Sequence, residues 1–398
     1  VVSLWQYGRE GTTIPTEETY TQEIMNRLQQ IRNDILENHR KNKSSLCQRD
    51  TSGLSSWSPT VHEKPGELAP YGHYLLLTQA QRYKEKLFRN RPPINEDNFK
   101  FYHGEDGSGR QSAEQLLNGW TPTYSPTEFL PMVYMHNAGH LTQDSCIEDS
   151  YSYDSSDSET RLIQKLIREV SERLGFDSPL AKRELLMMYY ACHMQISLQP
   201  RLQSPWCVVF TDQQLEVLEY LEDIKAYHYD GYGGENYYSA CGPLEHMRDA
   251  FNLALEKRYD INYSPTAHFV VTDEHALLRF ITLLGIGKDN LPIKADNFDY
   301  FQNYRRNWRT SYLAPHAGHV SFALLKCMDK YYVRTHLQER PVLMYNCSSE
   351  AQCAWSDFQQ NIDLILNECR HVTHCGATTM IISHSILSFM IFITFWIK

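Results

Sequence analysis

The sequence predicts an α/β protein whose core carries an inserted, mainly α-helical second domain. Three observations carry that reading. An apolar, β-branched run at residues 1–7 stops at Gly8 and passes through a short polar segment into a helical pattern. The same strand–loop–helix order returns at Ala267-His268-Phe269-Val270-Val271-Thr272, followed by Leu277, Leu278, Ile281 and Leu284. Between the two units helical stripes are dense, which is the pattern of a helical domain set into an α/β core.

Taken in order, residues 1–7 read as a strand ending at a glycine. Pro15-Thr16 opens a helix over residues 17–36, with Ile24, Leu28, Ile31 and Ile35 on one face. Strand, tight loop and helix N-terminus together can hold a phosphate, because unpaired N–H groups and the helix dipole point at it. Residues 38–60 are polar and Ser-rich and read as a loop. A helix is expected over residues 67–90, a short strand at 99–102, and a helix starting at Arg110 after the glycines of residues 104–109. Residues 121–157 are irregular. Leu162, Ile163, Leu166, Ile167, Val170 and Leu174 then form one apolar stripe, which Gly175 caps. Further helices are expected over 180–196 and from Thr211 to Tyr227, and Gly285 closes the last one. The domain expectation is a core of residues 1–120 and 247–375, a helical insertion at 121–246, and an apolar tail at 376–398. No internal repeat is visible.

The chain has 398 residues, 42% hydrophobic and 22% charged, the balance of a folded globular protein. A net charge of −10 argues against nucleic acid as a partner and against a polybasic membrane patch. Ten cysteines occur without any CxxC spacing, so disulfides in an oxidising compartment are the better reading. Sequons at Asn42, Asn262 and Asn346 point the same way. There is no initiator methionine and no basic-then-apolar leader, which predicts a mature or truncated product.

Arg9-Glu10-Gly11-Thr12-Thr13-Ile14-Pro15 resembles the Arg-His-Gly-Thr-Arg-x-Pro signature of the histidine (acid) phosphatases. Ser204-Pro205-Trp206-Cys207-Val208-Val209-Phe210-Thr211 narrows the likeness. So do residues 218–227, residues 289–298, Trp308-Arg309-Thr310-Ser311-Tyr312-Leu313-Ala314-Pro315-His316-Ala317, and Tyr332-Val333 through Glu339-Arg340-Pro341-Val342. These blocks resemble the multiple inositol polyphosphate phosphatase branch, over about residues 1–375. The resemblance implies a histidine-phosphatase-like α/β core with a helical domain over the phosphate site, and hydrolysis of phosphomonoesters of inositol.

By that resemblance Arg9 and Arg110 match two phosphate-binding arginines. Thr272-Asp273-Glu274 falls where the family has His-Ala-Glu, so Glu274 matches the acid that protonates the leaving oxygen. Three positions depart. Glu10 stands for the nucleophilic histidine, Thr13 for a second arginine, and Thr272 for a phosphate-binding histidine; His275 comes three places late, on a different face of the helix start.

The family chemistry needs an imidazole nitrogen to attack phosphorus. A carboxylate beside a phosphate dianion is repelled, by roughly 1–4 kcal/mol at the effective dielectrics of pockets. Losing a forked guanidinium costs about 1.5–3 kcal/mol for each charged hydrogen bond. Both changes work against catalysis. Glu10 also has a plainer account as a structural ion pair with Arg9.

Other constellations are weaker. Arg305, Arg306 and Arg309 read as a solvated basic face, and Asp230-Gly231-Tyr232-Gly233-Gly234 as a turn. His136 with His140, and His316 with His319, have the spacing of metal-ligand pairs but lack a third ligand, so no metal and no cofactor is expected. Cys369-Arg370-His371-Val372-Thr373-His374-Cys375 reads as a disulfide site, either internal or to Cys347 or Cys353. Residues 380–397 are almost uncharged, at the short limit for spanning a bilayer, and also resemble a glycolipid-anchor signal.

Three functions therefore stand. The first is a secreted or membrane-tethered inositol polyphosphate phosphatase relative that has lost most catalysis but still binds inositol polyphosphates or other phosphomonoesters. The second is a working phosphomonoesterase with Glu274 as acid and an unorthodox nucleophile. The third is an extracellular scaffold with a vestigial pocket, which an acidic pocket would favour.

Overall fold

The computed structural model describes residues 1–16, 21–59, 64–88, 97–104, 106–121, 135–137, 156–257, 264–345, 347–349 and 352–372. In chain order these form β1 (Ser3–Arg9), α1 (Gln22–Arg40), α2 (Gln48–Ser56), α3 (Pro70–Leu87), β2 (Phe99–His103), α4 (Gly107–Trp120) and β3 (Met135–Asn137). There follow α5 (Asp157–Leu174), α6 (Lys182–Leu198), α7 (Asp212–Tyr229), α8 (Cys241–Lys257), β4 (Thr266–Thr272) and α9 (Glu274–Leu283). After the short helical turns Phe298–Asn303 and Thr310–Leu313 come β5 (His319–Cys327), β6 (Lys330–Leu337), β7 (Arg340–Pro341), β8 (Cys353–Ala354) and α10 (Trp355–Val372).

The eight strands form one sheet in the order β3-β2-β4-β1-β5-β6-β7, with β8 also on β6. β3, β2, β4 and β1 run parallel, and β5 joins β1 antiparallel. The register of β1 on β4 sets Arg9 opposite Thr272. Both parallel strands therefore end at the same edge, where ligands of open α/β sheets bind.

Alternation along β1 loads both faces of the sheet. Trp5 and Tyr7 enter a core with Phe280 of α9 and Phe322 of β5, whereas Leu4 joins Phe101, Phe269 and Trp120 under α3 and α4. Each such side chain contributes roughly 1.5–3 kcal/mol on burial. A third cluster is wholly helical: Leu28, Ile31 and Ile35 of α1 pack with Leu54 of α2, Val170 of α5 and Met188 of α6. The apolar stripes read from the sequence at residues 24–35 and 162–174 thus face each other. α5 begins with a capping box from Ser156 to Glu159 and ends at Gly175, whose φ of 77° is the left-handed cap expected there.

Several local expectations are corrected. α1 starts at Gln22 rather than at Pro15-Thr16, and the polar stretch 38–60 contains α2, whose Thr51 and Leu54 are buried. Its polar residues are the exposed face of a short amphipathic helix. Cys369 pairs with Cys241, and Cys347 with Cys353, so none of the three partners expected for Cys369 is the right one. The start of α8 lies against α10, which sequence distance conceals. Cys192 pairs with Cys207, while Cys47 and Cys327 are exposed thiols. Arg306 does not lie on a solvated face: its side chain is 10% exposed and bound to the buried carboxylate of Asp223.

Cys146, Cys375, His140, the sequon asparagines 262 and 346 and the tail 376–398 lie outside the described residues. Among the described residues no helix is long and apolar enough to cross a membrane.

Candidate active site

The end of β1 is held from three sides. The Arg9 amide donates to Gly318 O (2.7 Å), the Glu10 amide donates to Thr272 O (2.9 Å), and the Ala317 amide donates to Glu10 O (2.8 Å). Arg9 Nη1 also donates to Ala314 O (2.7 Å). The loop from 314 to 318 is therefore clasped to Arg9 and Glu10, and Ala317 takes a left-handed φ of 59° to make the turn.

The loop after β1 is packed rather than open. The Gly11 amide donates to the buried hydroxyl of Ser112 (3.1 Å), and the Ile14 amide donates to Glu67 O (2.8 Å). Thr13 bridges Leu68. A Cβ on Gly72 would come 2.7 Å from Thr12 N, so only glycine lets α3 approach this closely. With the amides of Glu10, Gly11 and Ile14 spent inside the protein and α1 starting well downstream, this loop is not the amide cradle its sequence suggests. Side chains must bind any phosphate here.

The side chains meet at the edge where β1, β2 and β4 end. Arg9 Nη1 lies 3.0 Å from Glu274 Oε2, with the side chains 17% and 37% exposed. Glu274 opens α9, whose N-cap Asp273 accepts from the Ala276 amide (2.8 Å). Glu10 does not pair with Arg9; its Oε2 accepts from Ser108 at the start of α4. Burial pushes the Glu10 carboxyl above its ordinary range; Asp106 and Asp273 add to the rise, and Ser108 and Arg9 oppose it. Thr272 is buried beside the Tyr7 hydroxyl, which burial keeps protonated.

Arg110 is paired within its own helix. Its side chain is 60% exposed and donates to Glu114 one turn along α4 (3.2 Å). It lies in the first turn of α4, and its own helix supplies an acceptor at i+4.

Two histidines that the sequence reading set aside lie at this edge. His316, in the clasped loop, is pushed down to about 3 by burial and then by Arg9. His275 follows Glu274 and places Nδ1 2.7 Å from Oδ2 of the fully buried Asp230. The Asp-Gly turn at 230–234 hid that carboxylate, because only the tertiary fold brings α9 against it. His319 belongs to the core instead, with Tyr83 Oη at 3.0 Å from its Nε2. Among the described residues no cluster of three metal-ligating side chains occurs.

The result is an acidic cluster at the strand ends. Arg9 is paired with Glu274; Glu10, Asp106 and Asp273 stand beside it. Because the Glu10 pKa is raised in the folded state, its contribution to stability is present at acid pH and is lost as pH rises through that folded value. Glu10→Gln should therefore melt at or above the wild-type temperature near pH 7, by up to a few degrees, and match it near pH 4. A lower melting temperature for the variant near pH 7 would contradict the burial of an uncompensated carboxylate.

Residues 66–338 match the family model described as histidine phosphatase superfamily (branch 2). Multiple inositol polyphosphate phosphatase 1 of Drosophila melanogaster is 26% identical over 381 residues, 89% of this chain and 77% of the relative. The protein of that name from Gallus gallus is 27% identical over 221 residues, 54% of this chain and 48% of its own length. The crystal structure of the phytase from D. castellii superposes with a TM-score of 0.67 at 12% identity, covering 92% of this chain and 79% of that one. Bifidobacterium longum multiple inositol polyphosphate phosphatase in complex with inositol hexasulfate gives 0.58 at 11% identity, over 87% and 88%.

Proposed function

The chain belongs to the histidine phosphatase superfamily (branch 2), and from that membership we propose that it is an inositol-polyphosphate-phosphatase-like protein that binds phosphomonoesters of inositol and has lost most of the family's histidine chemistry. The observation that carries this reading is the fate of Glu10. It occupies the place of the nucleophilic histidine, its carboxyl bonded to Ser108 and raised by burial, next to an arginine already paired with Glu274.

In this reading Arg9 is the phosphate anchor and Glu274 the family's proton donor, diverted into an ion pair. Thr13 and Thr272 mark contacts that were given up, and Arg110 takes no part. A phosphate arriving at Arg9 must compete with the Glu274 carboxylate, which weakens binding at neutral pH. Three disulfides among the described residues are consistent with the secretory pathway. An anchor at 376–398 rests on that apolar run alone. The acidic surround also gives weight to the second reading, an extracellular binding protein whose pocket is vestigial.

The test is phosphate release from inositol hexakisphosphate at mildly acidic pH, for the native chain and for Glu10→His combined with Thr13→Arg. Thr272 is left unchanged because it is buried beside Tyr7. The native chain should release nothing above background, and the variant should release at least about tenfold more, as expected when general nucleophilic chemistry is restored. Turnover by the native chain comparable to that of the fly relative would overturn the reading.

A further inference from the structure

Glu274 is committed to Arg9 through an ion pair at 3.0 Å. The next residue is in a different position. His275 keeps its Nδ1 2.7 Å from Asp230 Oδ2, while its side chain as a whole is 62% exposed. Asp230 is fully buried, and its other oxygen accepts from Arg279 Nε at 2.8 Å. The rings of His275 and Tyr229 meet edge to face, with centroids 5.6 Å apart. A carboxylate only accepts, so Nδ1 carries a hydrogen and Asp230 fixes the tautomer. Nε2 is then the outward nitrogen: a lone pair when the ring is neutral, a charged donor when it is protonated.

We propose that His275, oriented by Asp230, is a second phosphate-contacting group of this pocket, donating from Nε2 to a phosphoryl oxygen of a polyphosphorylated ligand whose neighbouring phosphate lies at Arg9. The proposal rests on the phosphomonoester reading above. Position supports it: Glu274, bonded to Arg9, and His275 both lie in the first turn of α9, which opens at the edge where β1 and β4 end. Charge supports it as well. Arg9 with Glu274 sums to zero, whereas Arg279, Asp230 and a protonated His275 sum to one positive charge.

The neighbours set the direction of the pH response. Asp230 at the end of α7, and Asp273 and Glu274 on its own helix, all favour the protonated ring. Arg279 is shielded from it by Asp230. Tyr229 and the 236–240 turn pack along α9 and bring no acidic or basic side chain against the ring. Protonated histidine thus persists at mildly acidic pH, and ligand binding should weaken as pH rises and Nε2 loses its hydrogen.

The experiment is calorimetry of inositol hexakisphosphate binding near pH 5 and near pH 8, with the full chain, His275→Gln and Arg9→Ala. His275→Gln should lose about tenfold in affinity near pH 5 and less than about twofold near pH 8, the size of one charged hydrogen bond in a wet site. An unchanged affinity near pH 5 in His275→Gln, with loss in Arg9→Ala, would overturn this inference and leave the phosphomonoester reading standing. No binding by the native chain at either pH would overturn both. As a positioning residue, Asp230 has its own readout: Asp230→Asn should lower the His275 titration midpoint followed by NMR of the ring nitrogens. A midpoint that does not move would remove Asp230 from the scheme.

Discussion

Asp223→Ala should cost about 3–5 kcal/mol of unfolding free energy, the range seen when one partner of a buried ion pair is removed. Asp223 lies on α7 and is fully buried. One carboxylate oxygen accepts from Arg306, and the other accepts from the Thr310 amide (2.8 Å) and hydroxyl (2.9 Å). Its backbone carbonyl accepts from Trp308 Nε1 (3.1 Å), and Trp308 is itself fully buried. The loop of residues 306–310, which leads directly into the 314–318 segment clasped to Arg9, is tied to α7 by this residue and by Glu219, which takes Arg309 at 2.9 Å. Burial raises the Asp223 carboxyl and Arg306 opposes the rise, so the pair alone is weakly stabilising. The large cost arises because alanine removes the acceptor of the Thr310 amide and leaves the buried Arg306 guanidinium with only Trp308 O at 3.2 Å and Glu219 at 3.6 Å. Urea unfolding of Asp223→Ala beside a paired Asp223→Leu, Arg306→Met variant measures it. The double variant should recover more than half of the loss; a single-variant loss under about 1 kcal/mol would show that water reaches the pair.

The second large effect is expected at Cys241–Cys369. This bond joins the start of α8 to α10 across 128 residues. In the loop-closure account a crosslink of that span contributes about 4–5 kcal/mol, against about 3 for Cys192–Cys207 and roughly 2 for Cys347–Cys353. Pairwise replacement by serine, followed by denaturant unfolding, should rank the three in that order. α10 packs through Phe358, Ile362 and Leu366 on the core that holds Trp5 and Phe322. Loss of the first bond should therefore also loosen the sheet beneath Arg9. Equal effects from all three would refute an entropic origin.

Local pattern made much of this protein legible. Ile24, Leu28, Ile31 and Ile35 recur at helical spacing, and they are the buried face of α1. Ala267 to Thr272 is β-branched and apolar as a buried strand is, and it pairs with β1 in register. The Arg9–Pro15 frame and the blocks from 204 to 342 carry the family, which the matched residues 66–338 show independently of that frame. The end at Gly175 was legible from its left-handed glycine, whereas the capped starts at Thr21, Asp106 and Ser156 were not read from the sequence.

What only the tertiary structure decided is which charges meet. Glu274, 265 positions from Arg9 by number, takes its guanidinium at the strand ends. Asp230 looked like the first residue of a turn, yet it binds Arg279 at a separation of 49 and His275 at 45. Arg306 looked solvated, yet it reaches Asp223 across 83 residues. Arg110 matched a motif by position in the chain, and the fold pairs it with Glu114 one turn along α4. Hydrophobic periodicity is a property of adjacent residues, so one sequence reports it. The pairing of polar groups is settled by desolvation, which acts on whatever the packed elements bring within reach. The sequence determined most of the elements and the family; the fold determined that Glu274 takes Arg9 at the strand ends and that Asp230 takes His275.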